Sequence, residues 1–234
     1  MPPPPPVAHA MPLANRLGLL PILAAALCGC ELHVEGNGVF AERAVPVAAF
    51  ERLEIGLGIE ATVTAGTGDR LVVISGDENV LQHVTVEVSG ATLVTSTDLH
   101  AGFTTVHPLR LRIETPSLLS VKADDEAHVT VSGAAAPAFE VDASGQGQVA
   151  LSGAGGDALT VRLRDRAVLF GFGYPVASAA VDLADGSTGQ LRVSGAVTGT
   201  VVGGPRGGSH LEIQGGGTCS LTPEAGSTCT PSPP

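Results

Sequence analysis

His128-Val-Thr-Val-Ser-Gly133 recurs as Gln148-Val-Ala-Leu-Ser-Gly153, 20 residues on, and as Gln190-Leu-Arg-Val-Ser-Gly195, a further 42 on. Leu211-Glu-Ile-Gln-Gly215 matches Leu191-Arg-Val-Ser-Gly195 at 20 residues, and Ala167-Val-Leu-Phe-Gly171 is a degenerate copy between them. A second strand-like run recurs upstream: Leu119 to Val121, Phe139 to Val141, Leu159 to Val161 and Val181 to Leu183. Each unit therefore reads strand, polar turn, strand, then Ser-Gly or similar, with the period-two alternation of a strand. Such a unit cannot bury its own apolar face. Stacking units buries a continuous inner face of Val, Leu, Ile and Ala, each coil advancing by about 4.8 Å. The expected fold is all-β: a β-solenoid, or β-helix, with coils of about 20 residues, right-handed by the crossover rule. An antiparallel sandwich is the alternative, since its turn signals also recur every ~8–12 residues. Repeated Ser-Gly at one phase favours the solenoid.

Upstream, Arg52-Leu-Glu-Ile55, Glu60-Ala-Thr-Val-Thr64, Arg70-Leu-Val-Val-Ile74, Val84-Thr-Val-Glu-Val88, Thr92-Leu-Val-Thr95 and Leu109-Arg-Leu-Arg-Ile113 also read as strands, mostly followed by Gly, Asp, Asn or Ser. Residues 77–83 suit one short helical turn. The expected body spans residues 46–216. Both ends of a solenoid are exposed sheet edges. Residues 34–47 are expected to begin one cover and the 217–234 tail to protect the other end.

Composition agrees. The chain has 31 Gly, 6 Phe, 1 Tyr and no Trp, so its core rests on aliphatic side chains. Frequent Gly suits strands and tight turns and disfavours long helices. Net charge is −11; removing residues 1–29 takes away only Arg16, leaving 11 basic and 23 acidic residues, or −12. Such a surface argues against nucleic acid, which needs basic residues to displace counterions, and against a polybasic membrane patch.

The N-terminus reads as a targeting segment. After Arg16 comes the apolar run Leu17-Gly-Leu-Leu-Pro-Ile-Leu-Ala-Ala-Ala-Leu27, then Cys28-Gly29-Cys30. One positive charge, a short apolar run and small residues at its end form a secretory signal, too short to span a bilayer. Met11 suits a true start, with the preceding Pro-rich residues outside the protein. Leu27-Cys28-Gly29-Cys30 resembles the lipobox of bacterial lipoproteins. That resemblance implies a signal peptide at 1–29, acylation of the Cys30 thiol, a linker or cap at 30–45, and, with Glu31 next, an outer-membrane address. An ordinary cleaved signal is the competing reading. Several acyl chains on one residue give stable anchoring where one chain binds weakly. Cys219 and Cys229 would form a disulfide in an exported protein, closing a short loop worth about 2–3 kcal/mol; alone they are half a zinc site.

Phe50-Glu-Arg-Leu-Glu-Ile-Gly-Leu-Gly-Ile-Glu-Ala-Thr-Val-Thr-Ala-Gly66 resembles the opening of the bacterial autotransporter-adhesin head domain, the GIN domain family (DUF2807). Gly58-Ile59-Glu60 occupies the family's Gly-Ile-Asn position, with Glu for Asn. Val72-Val-Ile-Ser-Gly-Asp-Glu-Asn79 and Ser89-Gly-Ala-Thr-Leu93 also fit. The resemblance covers about residues 46–216 and implies a β-helical exported domain, without a proven activity.

No G-x-S-x-G elbow, P-loop, H-E-x-x-H or paired C-x-x-C occurs. No catalytic residue, cofactor or metal site is expected. Asp124, Asp125, Glu126 and His128 are the densest acidic cluster, a cation site or a solvated turn. Gly153-Ala-Gly-Gly-Asp-Ala-Leu159 lacks the spacing of a calcium-binding nonapeptide and reads as a corner. Arg162, Arg164 and Arg166 would either meet an anion or form an exposed row balanced by acids. Leu169-Phe-Gly-Phe-Gly-Tyr174 is either a contact patch or a plug for the solenoid interior. The function expected first is a non-enzymatic envelope lipoprotein with an adhesin-like binding surface. Its membrane contact is through lipid on Cys30, and its partner an envelope protein or surface glycan. A periplasm-facing scaffold or sensor comes second. A polysaccharide-acting β-helix enzyme is a distant third, since sugar sites draw on aromatic faces and carboxylate clusters.

Overall fold

The computed structural model describes residues 33–100, 102–204, 207–221, 224 and 226–231. All lie in a unit spanning residues 31–234. The lipobox and Cys30 fall outside the described residues.

The first half contains β1 (Val34–Glu35), β2 (Phe40–Ala44), β3 (Arg52–Ile55), β4 (Glu60–Ala65), β5 (Leu71–Asp77), α1 (Glu78–Leu81), β6 (Val84–Ser89), β7 (Thr92–Thr97), β8 (Phe103–Thr104) and β9 (Arg110–Thr115). The second contains β10 (Ser120–Ala123), β11 (His128–Ser132), β12 (Ala138–Ala143), β13 (Gln148–Ser152), β14 (Gly156–Leu163), β15 (Val168–Leu183), β16 (Thr188–Val193), β17 (Ala196–Val201), β18 (His210–Gln214), β19 (Thr218–Cys219) and β20 (Thr228–Pro231). The protein is a β-solenoid with two long parallel walls. Wall A runs β7, β3, β10, β12, β14, the second half of β15, β17 and β19. Wall B runs β9, β4, β11, β13, the first half of β15, β16, β18 and β20.

Alternation decides which side chains point in. In wall A, Leu53, Val121, Val141, Val161 and Val181 stack in register and are buried. In wall B, Ala61, Val129, Val149 and Leu169 do the same. The sequence reading matched Leu159–Val161 with Val181–Leu183. The register pairs it with Ala179–Val181, two residues earlier. A two-residue slip keeps every inward residue inward, so alternation alone does not distinguish the two. The 42-residue gap is a slip of the same kind: Gln148 lies in register with Val168 and Val168 with Thr188, so Gln190 aligns with Ala150. Beyond Gly171 the register with β16 shifts to Pro175, and this irregularity carries residues 172–174 out of step.

Stacking order is not chain order. β3 lies between β7 and β10, and β4 between β9 and β11. Residues 66–117 thus leave the stack and return to build the coil outside the first one. That excursion also makes the cover: β5 pairs antiparallel with β9, β2 with β5, and β6 with β7. At the other end β19 and β20 continue the walls, and a disulfide joins Cys219 to Cys229, whose Cα atoms are 6.6 Å apart.

Candidate functional site: the side walls and their turns

Between the walls each coil makes the same turn. Leu57-Gly58, Asp125-Glu126, Gly145-Gln146, Asp165-Arg166 and Asp185-Gly186 all have positive φ at both residues. Each is closed by a hydrogen bond from the residue after the pair to the residue before it. Examples are the Ile59 N–H to the Gly56 carbonyl at 3.3 Å and the Ala127 N–H to the Asp124 carbonyl at 3.0 Å. This is a type I′ turn. The turns also bond to one another: the Gly58 N–H reaches the Asp125 carbonyl at 2.9 Å, and the Glu126 N–H the Gly145 carbonyl at 3.1 Å. Gly58-Ile59-Glu60 is thereby explained. Gly58 takes the second left-handed position, Ile59 turns fully inside, and Glu60 opens β4 on the outer face. Because Glu126, Gln146 and Arg166 hold the equivalent position, a side chain there is tolerated if it tolerates φ near +65°. Gly58→Val is therefore expected to cost about 1–2 kcal/mol and Gly58→Asn less than half of that. Thermal unfolding of the two variants checks the order.

The Ser-Gly corners have an equally local cause. The Ser132 hydroxyl donates to the Val63 carbonyl at 3.2 Å and that of Ser152 to Val131 at 3.3 Å, so each corner serine ties its coil to the preceding one. Gly133 has φ +74°, and a Cβ there would lie 2.6 Å from the Ala65 carbonyl oxygen.

The outer face of wall A carries a column that the sequence reading missed. Glu54, Lys122, Asp142, Arg162 and Asp182 stand in register on successive strands. Their signs alternate. Lys122 Nζ lies 2.9 Å from Glu54 and 2.8 Å from Asp124, and these carboxylates, Asp124 foremost, hold its ammonium well above the usual lysine range. Burial, reinforced by Asp124, raises Asp142 above the usual carboxylate range despite its cationic neighbours. Arg162 pairs with Glu140, and Arg164 with Asp182 at 3.3 Å. The signal was in the sequence: Lys122, Asp142, Arg162 and Asp182 follow one another at 20-residue intervals. Exposed pairs each contribute at most about 1 kcal/mol. Like charges facing each other across strands would be destabilising, and the alternation avoids them. Two shallow grooves open on this wall. One of about 190 Å³ is lined by residues including Arg52, Glu54, Lys122 and Asp142. One of about 330 Å³ lies over Arg162, Ala180, Asp182 and Thr200.

The remaining candidates are placed as follows. The Asp124–Glu126 cluster is a turn: the Ser144 hydroxyl donates to Asp124 at 2.6 Å, and the Gln146 amide reaches Glu126 at 3.4 Å. His128 lies apart on wall B, in register with Glu60 and Gln148. No group of three or more His, Cys, Asp or Glu that could hold a metal ion occurs among the described residues. Arg166 is in a turn, so the three arginines do not form one row. The aromatic run splits. Phe170 is exposed, while Tyr174 is buried against Phe139, ring centroids 5.6 Å apart.

Tyr174 makes a further expectation. Its hydroxyl is buried without a hydrogen-bond partner among the described residues, and burial pushes its ionisation above the ordinary tyrosine value. The folded state thus favours the neutral phenol. Its contribution is fully present below the unfolded pKa of about 10 and is lost as pH rises through the folded value. As this is the chain's one tyrosine, phenolate absorbance reports it alone. Phenolate is expected to appear together with loss of circular dichroism, and Tyr174→Phe to unfold at higher pH. Ionisation near pH ~10 with the fold intact would contradict this burial.

The family described as "Putative auto-transporter adhesin, head GIN domain" matches residues 49–218. The chain belongs to the GIN-domain family. Two solved structures resemble this GIN-domain chain. One, described as a putative adhesin from Bacteroides fragilis, has 14% identity and TM-score 0.62, covering 86% of this chain and 98% of its own. The other, described as a putative lipid binding protein from Parabacteroides distasonis, has 10% identity and TM-score 0.57, covering 86% and 99%. At such identities the likeness is one of fold. No curated protein matches the GIN-domain chain in sequence.

Proposed function

We propose that this protein is a non-enzymatic lipoprotein of the bacterial cell envelope whose solenoid wall acts as an adhesin-like binding surface. The observation that carries the reading is the rigid outer column of wall A, with alternating charges at fixed strand spacing beside shallow grooves. A surface of this kind suits many weak polar contacts repeated along its length, and avidity then replaces a deep pocket. The family and both solved structures are described by adhesion or lipid binding rather than by a reaction. The lipobox-like Leu27-Cys28-Gly29-Cys30 supports a lipid anchor on Cys30. The partner is an envelope protein or a surface glycan.

The test compares wild type with Cys30→Ala by fractionation, metabolic lipid labelling and protease shaving of whole cells. Wild type is expected to be labelled, membrane-bound and shaved, and Cys30→Ala to be unlabelled and released. A labelled protein resistant to shaving would replace surface binding by a periplasm-facing scaffold. An unlabelled, soluble wild type would remove the anchor.

A further inference from the structure

Val39, Phe40, Val106 and Phe170 are the large apolar side chains that stand exposed among the described residues. Phe170 is on wall B. The other three belong to one lobe at the N-terminal cover. Residues 34–40 lie there against residues 102–107: β1 pairs with β8, the Gly36 N–H bonds the Thr104 carbonyl at 2.9 Å, and Phe40 meets His107 edge-on at 5.7 Å. Exposures of 52%, 59% and 66% for Val39, Phe40 and Val106 mean that the lobe turns its apolar side chains outward. A single exposed aliphatic residue needs no explanation, but a cluster marks a surface that something covers.

The lobe is also held in shape. Asp77, at the end of β5, is fully buried, and its Oδ2 accepts the Val106 N–H at 2.6 Å and the His107 N–H at 3.2 Å. Asn79 accepts the Asn37 N–H at 2.9 Å and donates to the Glu35 carbonyl at 2.7 Å. The apolar side chains are therefore presented by an ordered platform rather than a fraying end.

Only Glu31, Leu32 and His33 separate Cys30 from β1. Four Cα–Cα steps span at most about 14 Å. Whatever holds Cys30 must lie that close to this lobe. We infer that Val39, Phe40 and Val106 dock into the interface of the bilayer that carries the Cys30 lipid, so that the protein stands on the membrane on its N-terminal cover. The inference rests on the lipid-anchor reading of Cys30. Glu35, Glu42 and Glu78 are exposed around the patch and would be repelled by anionic headgroups, so docking is to a zwitterionic surface. An apolar face of this kind enters about 5–10 Å, to the boundary of headgroups and acyl chains.

The absence of Trp makes the test site-specific. Phe40→Trp, Val106→Trp and Phe170→Trp are each introduced into the chain beginning at Cys30. The Cys30 thiol is coupled to maleimide-bearing phosphatidylethanolamine in phosphatidylcholine vesicles; Cys219 and Cys229 are occupied by their disulfide. Circular dichroism verifies the fold. With phosphatidylcholine brominated near the top of its acyl chains, Phe40→Trp and Val106→Trp are expected to be quenched about two-fold or more and blue-shifted. Phe170→Trp, four strand spacings or about 19 Å along wall B from β9, should be unaffected. Equal emission from all three variants on the vesicles overturns the inference. So does a blue shift that depends on protein concentration without vesicles, since a second copy would then cover the patch. Chemical coupling makes this outcome independent of whether cells lipidate Cys30, which the labelling experiment decides separately.

Discussion

A Phe139→Ala variant is expected to lose about 3–5 kcal/mol of stability in urea unfolding followed by circular dichroism. Phe139 is 2% exposed and is one of the largest fully enclosed side chains in a core otherwise built mainly of Val, Leu, Ile and Ala. It lies in register with Leu159 and packs on Tyr174, which residues 172–174 bring inside where β15 leaves register. Removing the ring leaves a cavity between strands already fixed by hydrogen bonds to both neighbouring coils. Such walls cannot close in, and the cavity adds its cost to the lost transfer energy. Phe139→Leu keeps most of the volume and should cost less than about 1.5 kcal/mol. If the Ala and Leu variants lost the same small amount, the pair would not be a core element.

Asp77→Ala is expected to cost about 3 kcal/mol and to release the lobe of residues 34–38 and 104–107 before the solenoid unfolds. The carboxylate takes two backbone N–H groups in a buried position, and its removal leaves both without an acceptor. Gly36→Ala should act on the same lobe from the other side, because its Cβ would lie 2.1 Å from Asp77 Oδ2. Hydrogen exchange at Val106 and His107 reads both variants. Protection unchanged in either would show that something other than Asp77 holds the lobe.

Much of the wall architecture was legible because a solenoid repeats its causes at a fixed spacing. The inner columns, the turns of the second half and the Ser-Gly corners each depend on contacts with the coil one repeat away. Their residue types therefore recur about 20 residues apart. The charged column was legible in the same way, from Lys122, Asp142, Arg162 and Asp182, once the repeats were aligned. The Asp124–Glu126 cluster was readable as a cation site or as a solvated turn, because three acids in a row leave open what faces them. Ser144, Gln146 and Lys122 come from outside the run and supply that answer.

The sequence by itself determined the all-β class, the coil length and which side chains turn inward, since period-two alternation and turn chemistry are local. Only the tertiary structure decided that the coil of residues 52–65 lies second in the stack, beneath one built from residues 92–115. It alone brought Asp77 to the 104–107 loop and Tyr174 to Phe139. These pairings join segments through a long excursion or a break in register. There the periodic pattern is equally satisfied by several alignments, and burial, hydrogen bonding and volume choose among them.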